Sequence, residues 1–133
     1  MEGVNKKKDD PIALIPKYVV GDQFGDDIQR EVYMSDERIG HIIDHHADDY
    51  KALGHHIPNA IAAPDIVLRS SKDERVAMFI KHIDGSGLNV LIKIAPTSAK
   101  DDRSFVLTMH AVGNQSIRKL KRKNPIIYES GKI

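Results

Sequence analysis

The chain contains no cysteine and no tryptophan, and it has only three Phe and four Tyr among its 133 residues. The lack of cysteine excludes disulfide bonds, thiolate nucleophiles and thiolate metal ligands. Because aromatic side chains are scarce, Ile, Val, Leu and Ala must supply most of the core. No apolar run approaches the roughly 18 residues of a membrane-spanning helix, and the charged N-terminus lacks the apolar stretch of a secretory signal. We therefore expect no membrane partner and a cytoplasmic location, which includes delivery into a host or target cell without a cleaved signal.

The length of the chain suits one compact domain with a modest core. Its formal net charge of +1 hides an asymmetry between the two halves. Residues 1–65 carry seven Lys and Arg against thirteen Asp and Glu, whereas residues 66–133 carry thirteen against six. A basic second half favours an anionic ligand, and nucleic acid is the first candidate. A chance partition of charges is the alternative.

Residues 1–30 are expected to form an extension packed on a domain made of residues 31–133. After a charged lead, the extension contains an apolar stretch interrupted by Pro11 and Pro16. Prolines at these places disfavour a helix, so the stretch predicts an extended strap.

Residues 35–54 contain three histidines and carry the signal of a helix. Ser35 is a suitable N-cap, and Gly54 is a suitable end. Between them, apolar side chains recur at helical spacing, at Ile39, Ile42, Ile43, Tyr50 and Leu53. A second short helix is expected to begin near Pro58 and to end before Pro64.

The rest of the chain has the pattern of β-strands. Short apolar runs predict strands at residues 31–34, 66–69, 75–83, 88–95, 104–112 and 126–128. The Gly-rich residues 84–87 predict a hairpin turn. The two helices are expected to pack against the sheet that these strands form.

Side chains of the predicted sheet alternate between two faces. Val76, Met78 and Ile80 lie on a nearly pure aliphatic face, which we expect the two helices to cover. The opposite face gathers polar side chains from three strands, namely Arg75, Lys81, Lys93, Thr108 and His110. Solvation of an open face explains such a set. The same set also suits metal-free cleavage of a phosphodiester, in which cations stabilise charge on the phosphate and an imidazole moves the proton.

The histidine segment allows several interpretations. His41 and His45 share a helical face with Asp48, so a zinc site is geometrically feasible. The letters HIIDH resemble a zinc protease motif, but no second helix supplies a clear third ligand. The letters DHHA resemble the DHH phosphoesterases, whose domain is much larger than this chain. A structural role is the remaining alternative, and His46, beside the apolar stripe, is interpreted as a packing residue at the core edge.

The order of several motifs resembles the phage-associated branch of the barnase, EndoU, colicin and RelE (BECR) nuclease superfamily. The pair His41-Ile42 lies on a helix that carries a second histidine. A short helix, the letters PDIV, and a strand that begins with Arg75 and carries Lys81 follow. A later strand holds the pair Leu107-Thr108, and a basic segment closes the domain. The resemblance covers roughly residues 31–128.

The resemblance implies an α+β fold in which two N-terminal helices pack on a curved antiparallel sheet of about four strands. It also implies a ribonuclease that needs no metal or other cofactor. In such enzymes the 2′-hydroxyl of RNA attacks the adjacent phosphorus and leaves a 2′,3′-cyclic phosphate.

The resemblance further implies a role for each matched residue. His41 is the leading general base or acid, with His45 in a supporting or complementary role. Arg75 and Lys81 are expected to bind the scissile phosphate, and Thr108 is expected to orient it.

Several other residues are candidates beside this set. Strand periodicity makes His110 a rival of His41 and Lys93 a rival of Lys81. Tyr128 is expected to stack on a base. Arg118 and Lys119 belong to a basic run that would track the RNA backbone, although a solvated tail explains the run as well.

The expected partners are RNA, with transfer RNA as one candidate, and a cognate immunity or antitoxin protein. Two alternatives to a ribonuclease stay open. One is a noncatalytic phage protein that binds nucleic acid, and the other is a zinc hydrolase that uses His41 and His45.

Overall fold

The protein folds as a seven-stranded mixed sheet with helices on both faces, as seen in a computed structural model that describes residues 10–19, 24, 27–99 and 101–130. The strands are β1 (Ala13–Leu14), β2 (Glu31–Tyr33), β3 (Ile66–Arg69), β4 (Val76–Ile83), β5 (Ser86–Lys93), β6 (Ser104–Val112) and β7 (Ile126–Glu129). The helices are α1 (Asp36–Leu53), α2 (Ile57–Ala62) and α3 (Asn114–Lys123), with a 3₁₀ turn at Gly54–His56 before α2. The charged lead and most of the predicted loop at residues 21–27 lie outside the described residues.

The sheet has the strand order β1-β2-β6-β5-β4-β3-β7. All neighbouring strands are antiparallel except β2 and β6, which are parallel. The prediction of an α+β fold is therefore confirmed. The figure of about four antiparallel strands, which the resemblance implied, was too low, because it left out the short strands near the sheet edges. Of these, only β1 had no strand prediction from its own sequence. Two of the strands, β1 and β2, precede the helices.

Helix α1 begins as its sequence predicts. The Ser35 hydroxyl accepts a hydrogen bond of 3.1 Å from the backbone N–H of Arg38, and Asp36 and Glu37 lie in the first turn, where the helix dipole favours negative charge. The helix kinks at His46, whose backbone is not helical (φ −141°, ψ 47°). The kink changes the direction of the last turns, which carry Asp49 toward β6.

The hairpin between β4 and β5 turns at Asp84 and Gly85, which both have positive φ values of 44° and 83°. Two successive positive φ values define a type I′ turn, for which an Asp-Gly pair is well suited. This turn sets the register of the two longest central strands, in which Phe79 lies opposite Val90 and Ile80 lies opposite Asn89.

Helices α1 and α2 cover the opposite face of β4 from the one expected. The main core cluster joins Ile42 of α1 and Ile61 of α2 to Phe79 and Val90, which are direct cross-strand partners. We call this side the back face. Met78 and Ile80 belong instead to a second cluster on the front face, where Ile117 of α3 packs. The error arose because β4 is apolar on both sides, so its alternation could not show which side α1 and α2 occupy.

A register shift in the pairing of β5 and β6 changes which side chains share a face. Leu91 lies opposite Thr108, but its neighbour Ile92 lies opposite Val106, so one residue of β6 is extra. Val106 and Met109 consequently both reach the back core, although simple alternation would place them on opposite faces. Beyond the shift, Thr108 and His110 lie on the front face.

Helix α1 lies along β6 where β2 no longer pairs with that strand. The Arg38 guanidinium donates a hydrogen bond of 3.4 Å to the carbonyl oxygen of Leu107. Eleven residues later, the Asp49 carboxylate accepts a hydrogen bond of 3.0 Å from the backbone N–H of Ala111. These two side chains satisfy backbone groups that an edge strand would leave unpaired. They also hold one side of α1 against the polar end of the front face.

Candidate active site

A cavity of about 700 Å³ opens on the front face between the N-terminus of α1 and the segment that joins β5 to β6. Its floor includes Lys93 and Phe105, which are direct cross-strand partners. Gln29 holds the wall of the cavity, because its side-chain amide donates to the carbonyl oxygens of Pro96 and Ala99 at 2.9 and 3.0 Å. The charged residues that line the cavity are Glu37, Arg38, Arg75, Lys93, Asp101, Asp102 and Arg103.

Two of the predicted site residues meet in this cavity. Arg75 is held in place through its Nε and Nη2 atoms, which donate to the carbonyl oxygen of Ile94 at 3.1 and 2.8 Å. The Lys93 ammonium lies 2.7 Å from a carboxylate oxygen of Asp73. This hydrogen bond from Lys93, together with one from the backbone N–H of Arg75, lowers the pKa of Asp73. The two cations are therefore positioned before any substrate binds.

Two further cations of the cavity were missed by sequence reasoning. The Arg38 guanidinium lies over the Phe105 ring at 5.7 Å, and the Arg103 guanidinium lies over the Tyr33 ring at 4.4 Å. Cation–π contacts of this kind help to hold a guanidinium in place. The only sequence signals were two isolated arginines, one after a helix N-cap and one immediately before a strand, and neither has periodic meaning.

Thr108 and His110 continue the front face away from the cavity. Their cross-strand partners on β5 are Leu91 and Asn89. These two residues share a face with Lys93, because the three occupy every second position of the strand. Four residues separate Lys93 from Asn89, so the cavity floor and His110 are about 13 Å apart along the strands. Burial lowers the pKa of His110, and the charge of His46 lowers it further, while Asp49 acts in the opposite direction.

His46 lies beside His110 at the junction of α1 and β6. The two ring centroids are 5.8 Å apart, and both side chains are half-buried. The edge position predicted for His46 is thus observed, but its neighbour is a titratable ring rather than only aliphatic packing. Next to this pair, the Oδ1 atom of Asn89 is buried and has no hydrogen-bond partner in the described part of the chain.

Lys81 and Tyr128 lie apart from this group, on the back face. The Lys81 ammonium donates a hydrogen bond of 2.7 Å to the carbonyl oxygen of Ala63, just after α2. The Tyr128 ring contacts the Tyr18 ring at a centroid distance of 4.8 Å. Burial raises the pKa of Tyr18, and the neighbouring Tyr128 raises it further. The structure therefore does not bring Lys81 together with Lys93, or Tyr128 together with the cavity.

His41 and His45 are exposed on α1, and neither lines the cavity. Their ring centroids are 4.4 Å apart, and His45 Nδ1 donates a hydrogen bond of 3.0 Å to the carbonyl oxygen of His41. Across residues 10–19, 24, 27–99 and 101–130, no three or more His, Asp or Glu side chains cluster closely enough to hold a metal ion.

Arg118 and Lys119 are exposed on α3, whose apolar side carries Ile117 into the front cluster. Lys121 of the same helix forms an ion pair with Glu129 of β7.

Within the described residues, no helix is long and apolar enough to cross a membrane.

A mixed sheet whose back face packs against α1 and α2, with a charged cavity beside the N-terminus of α1, defines an α+β protein. The chain belongs to the family described as phage-Barnase-EndoU-ColicinE5/D-RelE like nuclease 3, whose family model matches residues 12–119. This match confirms the resemblance to BECR nucleases and supports a nuclease function. It begins within the N-terminal segment, ahead of the region that the motifs cover. Comparison with curated proteins and with solved structures gave no match.

Proposed function

We propose that this protein is a metal-independent endoribonuclease that cleaves RNA by attack of a 2′-hydroxyl on the adjacent phosphorus. The observation that supports this function best is the arrangement of the front face. There, a cavity with Arg38, Arg75, Lys93 and Arg103 continues along β5 and β6 to Thr108 and His110. One surface thus offers cations for the phosphates, a hydroxyl for orientation and an imidazole for proton transfer.

In this proposal the cations bind different phosphates of the RNA. Lys93 and Arg75 hold a phosphate of the RNA inside the cavity. Arg38 lies at the carbonyl oxygen of Leu107, next to Thr108. It is therefore placed to stabilise the charge that develops on the scissile phosphate, while the Thr108 hydroxyl donates a hydrogen bond to a phosphate oxygen.

His110 is the general base in this proposal. It shares the front face with Thr108, and its lowered pKa keeps the ring neutral near pH 7, which is the form that can accept a proton. His41 and His45 are the competing candidates. They lie on the exposed surface of α1. RNA cleavage by alanine variants of His41, His45 and His110 decides which histidine is the base.

The basic side of α3 extends the surface for RNA. Arg118 and Lys119 are exposed there and can contact backbone phosphates beyond the scissile group. A folded RNA such as transfer RNA is long enough to reach both the cavity and α3. A cognate immunity or antitoxin protein would most simply block activity by covering the cavity with acidic side chains.

The proposal is tested by incubating the purified chain with a mixed RNA pool in EDTA and analysing the 3′ ends of the products. We expect cleavage that leaves 2′,3′-cyclic phosphates. We also expect a loss of about 100-fold or more in His110→Ala, and a smaller loss in Thr108→Val. Cleavage that chelation abolishes would indicate a metal hydrolase instead. Salt-sensitive RNA binding without turnover would indicate a noncatalytic nucleic-acid-binding protein.

A further inference from the structure

From the geometry of the α1–β6 junction we infer that His46 is the general acid of the cleavage reaction and His110 its base. This inference rests on the proposed ribonuclease function and adds to it a catalytic group that no motif indicates. The two histidines lie at this junction, about 13 Å along the strands from the cavity floor.

The two rings are arranged differently from the other histidine pairs of the chain. The ring centroids of His41 and His45, and of His55 and His56, are 4.4 and 4.1 Å apart, as in contacting rings. Those of His46 and His110 are 5.8 Å apart, and the ring planes are inclined by 32°. His46 and His110 are thus neighbours without the close ring contact of the other two pairs.

The backbone of α1 produces this arrangement. His46 is the one position within α1 with non-helical φ and ψ angles, and it is flanked by contacts that hold α1 to β6. Arg38 is anchored to Leu107 and Asp49 to Ala111, at 3.4 and 3.0 Å. His46 also borders a surface depression that Asp44, Asp48 and Asp49 line as well, so solvent reaches its side chain.

In-line attack at phosphorus needs one group that takes the proton of the entering oxygen and a second group that gives a proton to the leaving oxygen, and two neighbouring imidazoles can divide these roles. His110 takes the proton of the 2′-hydroxyl as the bond between the 2′-oxygen and phosphorus forms. The bond from phosphorus to the 5′-oxygen breaks, and the His46 imidazolium gives its proton to that oxygen. The products are a 2′,3′-cyclic phosphate and a 5′-hydroxyl, and both rings return to their starting states by exchange with water.

The charges around the pair suit this assignment. Burial lowers the pKa of His110, and the neighbouring His46 lowers it further, which favours the neutral ring that a base needs. Asn89 is the cross-strand partner of His110, and its unpaired Oδ1 atom can accept the other ring N–H of His110. Such a contact would set the tautomer of the base.

Two substrates separate the acid from the base. RNA has a poor alkoxide leaving group that needs a proton, whereas a uridine 3′-(nitrophenyl phosphate) ester releases a stable phenolate without one. We expect His46→Ala to cleave RNA at least 100-fold more slowly than the wild type, yet to cleave the ester within about 5-fold of the wild-type rate. We expect His110→Ala to be slow on both substrates.

His55→Ala is the matched control, because His55 is an exposed histidine just beyond α1. It should cleave both substrates at the wild-type rate. Free imidazole should restore part of the RNA cleavage lost in His46→Ala, which a purely structural role would not allow. His46→Gln provides a second variant in case the alanine variant unfolds, as judged by circular dichroism.

The outcomes separate this inference from the proposed function. If the wild type cleaves RNA in EDTA and both His46 variants cleave it equally fast, the general acid lies elsewhere and the ribonuclease function stands. Equal losses on RNA and on the ester would also overturn the assignment of His46 as the acid. If the folded wild type cleaves neither substrate, the ribonuclease function itself fails.

Discussion

Asn89 and His110 lie directly opposite each other on β5 and β6, and the Oδ1 atom of Asn89 is buried without a donor in the described part of the chain. A buried polar atom without a partner typically costs about 1 to 3 kcal/mol. An apolar side chain of similar size at this place would avoid that cost.

Replacing Asn89 should separate stability from activity. We expect Asn89→Leu to raise the free energy of unfolding by about 1 kcal/mol, because Leu has a similar size and no unpaired acceptor. RNA cleavage should fall, since the variant removes the amide oxygen that lies opposite His110 and is proposed to accept its ring N–H. Urea unfolding and cleavage assays on the same preparation check both outcomes. A variant that is less stable and fully active would contradict the role given to Asn89.

The cavity cations can be tested by the salt dependence of RNA binding. Each phosphate contact to single-stranded nucleic acid contributes about 0.7 to the slope of log affinity against log salt concentration. Lys93→Gln should reduce the magnitude of that slope by about this amount. Asp73→Asn should strengthen binding at low salt, because it removes the carboxylate that pairs with Lys93.

Lys51→Gln is the control for this experiment, because Lys51 is an exposed cation in the last turn of α1, away from the cavity lining. It should leave the slope unchanged. An equal reduction in Lys51→Gln and Lys93→Gln would mean that RNA responds only to the net charge of the chain.

The lowered pKa of His110 makes the stability of the protein depend on pH. The folded state holds a proton on His110 less tightly than the unfolded chain, whose histidines titrate near 6.5. This contribution to stability is therefore complete above about pH 6.5 and is lost as the pH falls toward the folded pKa. The titratable groups that face His110 are His46, which lowers its pKa further, and Asp49, which opposes the shift.

We expect the stability of the wild type relative to His110→Asn to decrease between pH 7.5 and pH 5. Urea unfolding at several pH values measures this difference, and His55→Asn serves as the control with an exposed ring. A constant difference across this range would show that the environment of His110 does not perturb its titration.

Gly87 allows α3 to approach the sheet closely. A Cβ atom at this position would lie 3.0 Å from the carbonyl oxygen of Val112 and 3.1 Å from Cδ1 of Ile117. Because the first of these neighbours is backbone, it cannot move aside, and Gly87→Ala should lower the free energy of unfolding by about 1 to 3 kcal/mol.

Gly40 of α1 has no atom within 4 Å of an added Cβ. Gly40→Ala should therefore stabilise the helix by about 0.5 to 1 kcal/mol, and thermal unfolding of the two variants checks both signs.

The elements of the fold were largely predictable, since their signals are local. The cap at Ser35, the strand at Ser104–Val112 and the turn at Asp84 and Gly85 follow from side-chain chemistry within a few residues. The two-residue strand Ala13–Leu14 was read only as part of an extended strap, because two residues cannot show a period.

The candidate site was predicted only in part. Lys93, Thr108 and His110 share a face in the structure, as alternation had indicated, but Lys81 does not join them. Its strand is apolar on both sides, and only the pairing of Lys81 with Leu88 shows that its side chain points to the back face. The arginines at positions 38 and 103 carried no signal at all, because their value comes from the rings they cover.

The sequence by itself determined the α+β class, the family and the chemical types available to a site, since these depend on composition, order and local spacing. The tertiary structure alone decided which of those groups meet. The extra residue in β6 shifts the register between Leu91 and Ile92, and the kink at His46 lets α1 follow the edge of that strand. The register shift depends on the pairing of β5 with β6, and the position of α1 depends on contacts such as that of Asp49 with Ala111, 62 residues further along the chain. No local pattern encodes such contacts.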